Sequence, residues 1–298
     1  MESPINKTVL ITGITGFTGK HLESILVENG FQVYGTTFSE PAQENHFKCD
    51  ILDFNELTEV VTRVGPDYVI HLAAVSFVAT KDIPKIYATN VQGTLNLLDG
   101  LLKLGRNIKK IIVVSSAAVY GNIGNVLSEE MCPKPVNHYG NSKLAMENMA
   151  ANYFDKLNII VARPFNYTGI GQEERFVIPK IIKHFKEKKS VIHLGNLNTY
   201  REYNDVRFLA DCYRKLLNSD FKSNVVNIAS GKTYSINDVL SIMTDLSSHQ
   251  LNVEVDNNFV RKNEIKELKG SSVKLYTIIG ETDSIFSLKD TLAEMYLG

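Results

Sequence analysis

At 298 residues, with 44% apolar and 22% charged side chains, the chain has an ordinary globular composition and enough length to bury a large core. A formal charge of −1 excludes any general electrostatic attraction to nucleic acid or to an anionic membrane, so an anion site has to be local. Cys49, Cys132 and Cys212 are widely spaced and match neither a disulfide framework nor a metal-ligand pattern; reduced thiols and no metal site are expected. The first residues lack a signal-peptide pattern and no apolar run is long enough for a bilayer, so the expectation is a cytoplasmic protein without a membrane partner.

In chain order, Thr8-Val9-Leu10-Ile11 is a short, largely β-branched run that predicts a buried strand. It enters Thr12-Gly13-Ile14-Thr15-Gly16-Phe17-Thr18-Gly19, after which Leu22, Ile25 and Leu26 fall at helical spacing. Further buried strands are predicted over residues 31–35, 67–72, 110–114 and 158–162, with helices over 86–104 and 137–154 between them. Strands alternating with helices predict an α/β fold, a doubly wound parallel-sheet Rossmann domain covered by helices on both faces. Its expected extent is residues 1–165, with a later strand around 224–229 returning to the sheet. After Pro164 the pattern loosens into a glycine-containing segment, a helix over 176–188 and mixed elements, and residues 166–298 are expected to form most of a smaller substrate-binding part. The basic run over 183–189 reads as a solvated helix face in so neutral a chain.

The glycines suggest a dinucleotide. At a strand-to-helix turn they permit backbone angles and close approaches that a Cβ would prevent, which lets a pyrophosphate reach the amides at the positive end of the helix. Gly-x-x-Gly-x-x-Gly carries this meaning only between a strand and a helix, and here both flank it. Downstream, Tyr139 and Lys143 stand at i,i+4 on one predicted helix face. An ammonium beside a phenol would favour ionisation and move the phenol pKa from ~10 toward working pH, giving a proton donor and acceptor for alcohol or carbonyl chemistry.

With strand, turn and Tyr/Lys helix in this order, the chain resembles the extended short-chain dehydrogenase/reductases that modify nucleotide-activated sugars, over nearly its whole length. The resemblance also rests on residues 71–74 (His-Leu-Ala-Ala), 90–98, 115–121 (Ser-Ser-Ala-Ala-Val-Tyr-Gly) and 163–169 (Arg-Pro-Phe-Asn-Tyr-Thr-Gly). Residues 163–172 and 194–207 look most like GDP-4-keto-6-deoxy-mannose reductases and their relatives.

The resemblance implies that Tyr139 protonates the sugar oxygen, Lys143 binds the nicotinamide ribose and lowers the tyrosine pKa, and Ser116 hydrogen-bonds the carbonyl oxygen. Ser115 is read as structural or cofactor-lining. Gly13, Thr15, Gly16, Phe17, Thr18 and Gly19 would hold the dinucleotide, together with Leu72, Ala73, Ala74 and Pro164. Asp50 with Ile51 is similar to the family's adenine contact, and equally reads as a helix-capping aspartate. Asn90 is open between organising the site and simple packing, and His71 reads as a strand-end core residue. Asn166 would meet the nucleotide sugar. Arg201 and Arg261 fall where the family binds diphosphate, although a surface salt bridge fits Arg261 almost as well; Glu264 is a candidate ribose contact.

Two departures refine the implied chemistry. Sugar-nucleotide 4,6-dehydratases carry an acid and a base directly after the serine, where this chain has Ala117 and Ala118, and methyl groups transfer no protons. At the end of the second strand, NAD-specific relatives place an acid, where this chain has Thr37 and Ser39, hydroxyls compatible with a 2′-phosphate. NADP(H) is therefore expected over NAD(H). The implied activity is reduction of the C4 keto group of a nucleotide-linked 4-keto-6-deoxy sugar, with a 4-epimerase retaining NAD as the alternative and a non-catalytic dinucleotide-binding regulator behind both. A homodimer paired through two helices per subunit is implied as well.

Overall fold

The first strand, β1 (Lys7–Thr12), is followed by α1 (Phe17–Glu28), β2 (Phe31–Thr37), β3 (His46–Lys48), α2 (Phe54–Val64) and β4 (Tyr68–His71). These elements come from a computed structural model that describes residues 7–76, 82–124, 126–260, 265–281 and 286–298. After β4 come α3 (Ile83–Tyr87), a π-helical turn over Ala88–Gln92, α4 (Gly93–Lys103) and β5 (Lys110–Val114). A 3-10 turn at Ala117–Tyr120, β6 (Val126–Leu127), α5 (His138–Ala151) and β7 (Ile159–Pro164) follow. The later part contributes β8 (Tyr167–Thr168), α6 (Val177–Lys186), β9 (Val191–Leu194), β10 (Tyr200–Glu202), β11 (Asn204–Asp205), α7 (Val206–Asn218) and β12 (Asn224–Ile228).

Seven strands form one parallel sheet in the order β12-β7-β5-β4-β1-β2-β3. The order reverses between β1 and β4, the switch point at which open α/β sheets leave a ligand crevice beyond their strand ends. Helices cover both faces, and this is a Rossmann sheet.

Side-chain alternation along β1 decides which helices it meets. Val9 and Ile11 join a core with Leu22 and Leu26 of α1 and Leu209, Tyr213 and Leu216 of α7. Leu10 points the other way, into Leu57 and Val61 of α2 and Leu97, Leu98 and Leu101 of α4. Each such buried aliphatic contributes about 1.5–3 kcal/mol relative to exposure. The second part has its own core, in which Ile178, Ile182 and Phe185 of α6 meet Ile192 of β9, Val239 and Met243 of the helix Ile236–Ser247, and Leu288 and Leu292 of the helix Leu288–Leu297.

Several sequence expectations change in detail. The helix expected over 86–104 is interrupted by the π turn, whose extra residue turns Asn90 inward, where it is buried. Asp50 does not cap α2. That role belongs to Asp53, whose Oδ1 accepts from the amides of Asn55 at 2.8 Å and Glu56 at 3.0 Å, while the Asp50 carboxylate accepts from the amide of Leu52 at 2.9 Å, ahead of the helix. The helix expected over 176–188 stops at Lys186, because Lys188 adopts a left-handed φ of 49°.

Candidate active site

The carboxyl ends of β1, β2, β4, β5 and β7 open on a cleft of about 1830 Å³ closed on its far side by the second part of the chain. A single drug-sized ligand occupies ~300–1,000 Å³, so this cleft has room for two.

At its floor the turn after β1 runs back across the sheet. Gly13 has a φ of +73°, and its amide and that of Ile14 donate to the Thr36 carbonyl at 3.0 and 3.1 Å. A Cβ on Gly19 would lie 2.3 Å from the Ile14 carbonyl oxygen, so only glycine lets α1 pack this close to the turn. Gly16, Phe17, Thr18 and Gly19, at the start of α1, line the cleft, and a helix N-terminus in that place suits a pyrophosphate. Phe17 stacks on Tyr167 with 5.9 Å between centroids, and the Tyr167 hydroxyl bonds Thr18 at 2.9 Å, clamping the turn to the start of the second part.

His71 ties the floor together. Its Nδ1 bonds Thr12 at 2.7 Å and its Nε2 bonds Thr94 at 2.9 Å; because Thr94 donates onward to the Asn90 carbonyl, Nε2 carries the proton. Burial first, and then the Lys143 charge, push the imidazole down to about 3, so it stays neutral. Asn90 brackets the next loop, accepting from the Val75 amide at 2.8 Å and donating to Ser142 of α5 at 2.9 Å.

Ser116 caps the 3-10 turn, with its Oγ accepting from the Ala118 amide at 3.1 Å. It stands with Tyr139 and Lys143 at the edge of the cleft. Asn137 caps α5 through the Gly140 amide at 2.8 Å and so sets the helix phase that presents Tyr139 and Lys143 together. The expected lowering of the tyrosine pKa is corrected by the structure. Burial pushes the Tyr139 phenol up to about 12, against a smaller downward pull from its hydrogen bond with Ser116. Lys143 is itself driven down to about 8 by burial, which Glu147 opposes, and its Nζ donates to the Val114 carbonyl at 2.7 Å. Desolvation dominates both groups, and it favours the neutral form of each.

Among the expected cofactor residues, Gly13, Thr15, Gly16, Phe17, Thr18, Gly19, Thr37, Asp50, Ile51, Leu72, Ala73, Ala74 and Pro164 line the cleft. Ser39 is exposed outside that lining and bonds Thr37 at 3.1 Å; Thr37 in turn bonds Thr15 at 3.0 Å. Of the residues expected to meet the sugar donor, Asn166 and Arg201 line the cleft. The Arg201 Nη1 donates to the carbonyls of Tyr200 at 2.7 Å and Ile265 at 3.1 Å, which anchors β10 beside the strand Glu267–Gly270. Arg261 and Glu264 lie outside the described residues.

The family model described as GDP-mannose 4,6 dehydratase matches residues 10–295. The chain belongs to this family, within the extended short-chain dehydrogenase/reductases of nucleotide sugars. It is 33% identical to the GDP-6-deoxy-D-talose 4-dehydrogenase of Aggregatibacter actinomycetemcomitans, over 97% of this chain and 96% of that one. Among solved structures, a putative epimerase from Burkholderia cenocepacia superposes with a TM-score of 0.93 at 36% identity, covering 99% of this chain and 98% of that one. RMD of Pseudomonas aeruginosa, solved with NADPH, superposes with a TM-score of 0.87 at 27% identity, covering 98% and 97%.

Within the family fold, Ala117 is buried and Ala118 lines the cleft, so neither position brings a proton-transferring group to it. Sequence reasoning missed Phe38, which follows β2, is 75% exposed and lines the cleft. It also missed Lys180, whose Nζ lies 4.4 Å from the centroid of the Phe259 ring on the far wall. Only the place of Phe38 beside Thr37, a residue already expected at the cofactor, was a usable signal; the Lys180–Phe259 pairing spans separate elements.

Proposed function

We propose that this chain reduces the C4 keto group of a GDP-linked 4-keto-6-deoxy sugar with NAD(P)H, NADPH being preferred. The observation that carries the reading is the convergence of Ser116, Tyr139 and Lys143 beside the glycine cradle, with methyl groups at Ala117 and Ala118. The names of the talose 4-dehydrogenase and of a 28%-identical GDP-6-deoxy-D-mannose reductase from Pseudomonas aeruginosa support the sugar class. The Thr37 hydroxyl, at the strand end where an acidic residue would bind an NAD ribose, bonds Thr15 at 3.0 Å and supports NADPH.

The bound nicotinamide would supply the hydride. Ser116 holds the ketone oxygen, and Tyr139, kept protonated by its burial, delivers the proton to that oxygen as C4 becomes tetrahedral. Lys143 seats the ribose and, as an ammonium, stabilises the tyrosinate left behind. Arg201 meets the diphosphate of the sugar donor, with Arg261 and Glu264 proposed beside it and Asn166 on the sugar. We extend the reading to a cytoplasmic homodimer in glycan-precursor synthesis.

The test supplies purified protein with GDP-4-keto-6-deoxy-mannose and NADPH, and follows loss of nicotinamide absorbance with NMR of the product. Stoichiometric NADPH use supports the proposal. The likeness to a putative epimerase favours a second reading, C4 inversion with retained NAD, and interconversion without net NADPH use would establish it. Supplied instead with the intact GDP-hexose, the enzyme should release no water by mass spectrometry; a dehydrated product would overturn the reductase assignment. Tight dinucleotide binding with no turnover on any keto sugar would leave a binding protein.

A further inference from the structure

The stripe that carries Tyr139 and Lys143 continues. Glu147 lies one further turn along α5, so the three side chains occupy positions i, i+4 and i+8 of one face, neighbours being ~5–6 Å apart at Cβ. Glu147 is 5% exposed and is gripped from the sheet. The Arg163 guanidinium at the end of β7 donates through Nε to Oε1 at 3.0 Å and through Nη2 to Oε2 at 2.6 Å, while the Ser115 hydroxyl at the end of β5 donates to Oε1. Arg163 also donates through Nη1 to the Tyr120 hydroxyl at 2.9 Å, which in turn donates to Asn227 Oδ1 of β12 at 2.8 Å. Ser115 sits between Val114, whose carbonyl holds Lys143, and Ser116. The network thus grips the strand end and the helix that supply the whole Ser/Tyr/Lys set.

A buried ion pair is a weak source of stability, since apolar residues of similar volume often replace it at no cost. Its position is more informative. We infer that Glu147, held by Arg163 and Ser115, is a positioning residue that keeps Lys143 seated and charged beside Tyr139. The inference rests on the assignment of Lys143 to the dinucleotide ribose made above.

The groups coupled to Lys143 are Glu147 on the same face of α5 and His71 on β4; Arg163 of β7 and Tyr120 are reached through Glu147, and Tyr167 acts on Tyr139, one turn before Lys143. His71 is neutral, and burial raises the pKa of Tyr120, Tyr139 and Tyr167, so the phenols are neutral too. The fixed charges are therefore Glu147 and Arg163, and of the two Glu147 is the one that raises the Lys143 pKa against its burial. Removing its charge lowers the pH at which Lys143 loses its proton.

The readout is NADPH affinity against pH, followed by nicotinamide fluorescence in a chain without tryptophan. Glu147→Gln should move the alkaline fall in affinity down by about 1 pH unit. Glu147→Asp, which keeps the charge, should restore most of it. If Glu147→Gln does not fold, the double substitution Glu147→Gln/Arg163→Gln leaves no unpaired guanidinium and should show a smaller downward movement, because the Arg163 cation is lost with the carboxylate. An unchanged alkaline midpoint in a folded neutral variant, or equal behaviour of Asp and Gln at 147, overturns the inference. The measurement needs no sugar, so a failure to reduce any keto sugar would overturn the substrate assignment while leaving this result readable.

Discussion

The two walls of the cleft are built on different principles. The wall proposed for the dinucleotide is made by backbone: a strand end, a glycine turn whose Gly19 tolerates no side chain, and the start of α1, which lines the cleft. The wall proposed for the sugar is made by side chains on short strands and loops, with Arg201 on the three-residue β10 and Lys180 meeting Phe259 across separate elements. A backbone cradle belongs to a cofactor shape shared by many enzymes. A side-chain wall can be altered one residue at a time, which is where substrate choice would be expected to reside.

Substitutions can break this contrast at its hinge and then on each side. The largest expected effect is at Tyr139, which serves both walls: Tyr139→Phe should lower kcat on the order of 100-fold or more while NADPH affinity holds, because only the proton-transferring hydroxyl is lost. Near-normal turnover in the purified variant would remove Tyr139 from the chemistry. On the backbone side, Gly19→Ala forces α1 away from the Ile14 carbonyl, and overpacking of ~1–3 kcal/mol, taken out of cofactor binding, corresponds to a roughly 5- to 150-fold weaker NADPH complex. Fluorescence titration reads this directly, and unaltered affinity would show that the turn does not contact the dinucleotide.

On the opposite wall, Arg201→Ala should weaken nucleotide-sugar binding roughly tenfold, the loss of one charge-assisted bond, and leave NADPH binding alone. Calorimetric titration of GDP would sharpen the contrast; equal losses for both ligands would mean that Arg201 acts by holding β10 to the neighbouring strand. The smallest effect concerns the stability of the floor. His71 is held at about 3 against an ordinary 6.5, so the unfolded chain takes up the proton first as pH falls. The stability it contributes is present above about pH 6.5 and is lost as pH drops toward the folded value, at up to about 1.4 kcal/mol per pH unit. Urea unfolding over that range should show a shallower acid slope in His71→Asn, and an identical slope would place the titration elsewhere.

The first half of the fold was legible because its signals are local. A β-branched run, a glycine turn and apolar residues at helical spacing each act within a few residues, and their alternation allows little besides a parallel sheet. Asp50 and Asp53 show the limit of such reading: both precede α2, and which of them caps it depends on where the first helical turn begins.

By itself the sequence determined the order of strands and helices, the glycine turn, and the presence of Ser116, Tyr139 and Lys143 without an acid or base after the serine, since these follow from residue identity and spacing. Only the tertiary structure decided the electrostatics. Spacing puts an ammonium one turn from a phenol, but solvation depends on everything packed around the pair. Here burial holds the phenol at about 12, burial draws the ammonium to about 8, and a carboxylate one turn further on, gripped by an arginine from another strand, is what opposes that loss. Desolvation sums over neighbours that are distant in sequence, and no local pattern encodes that sum.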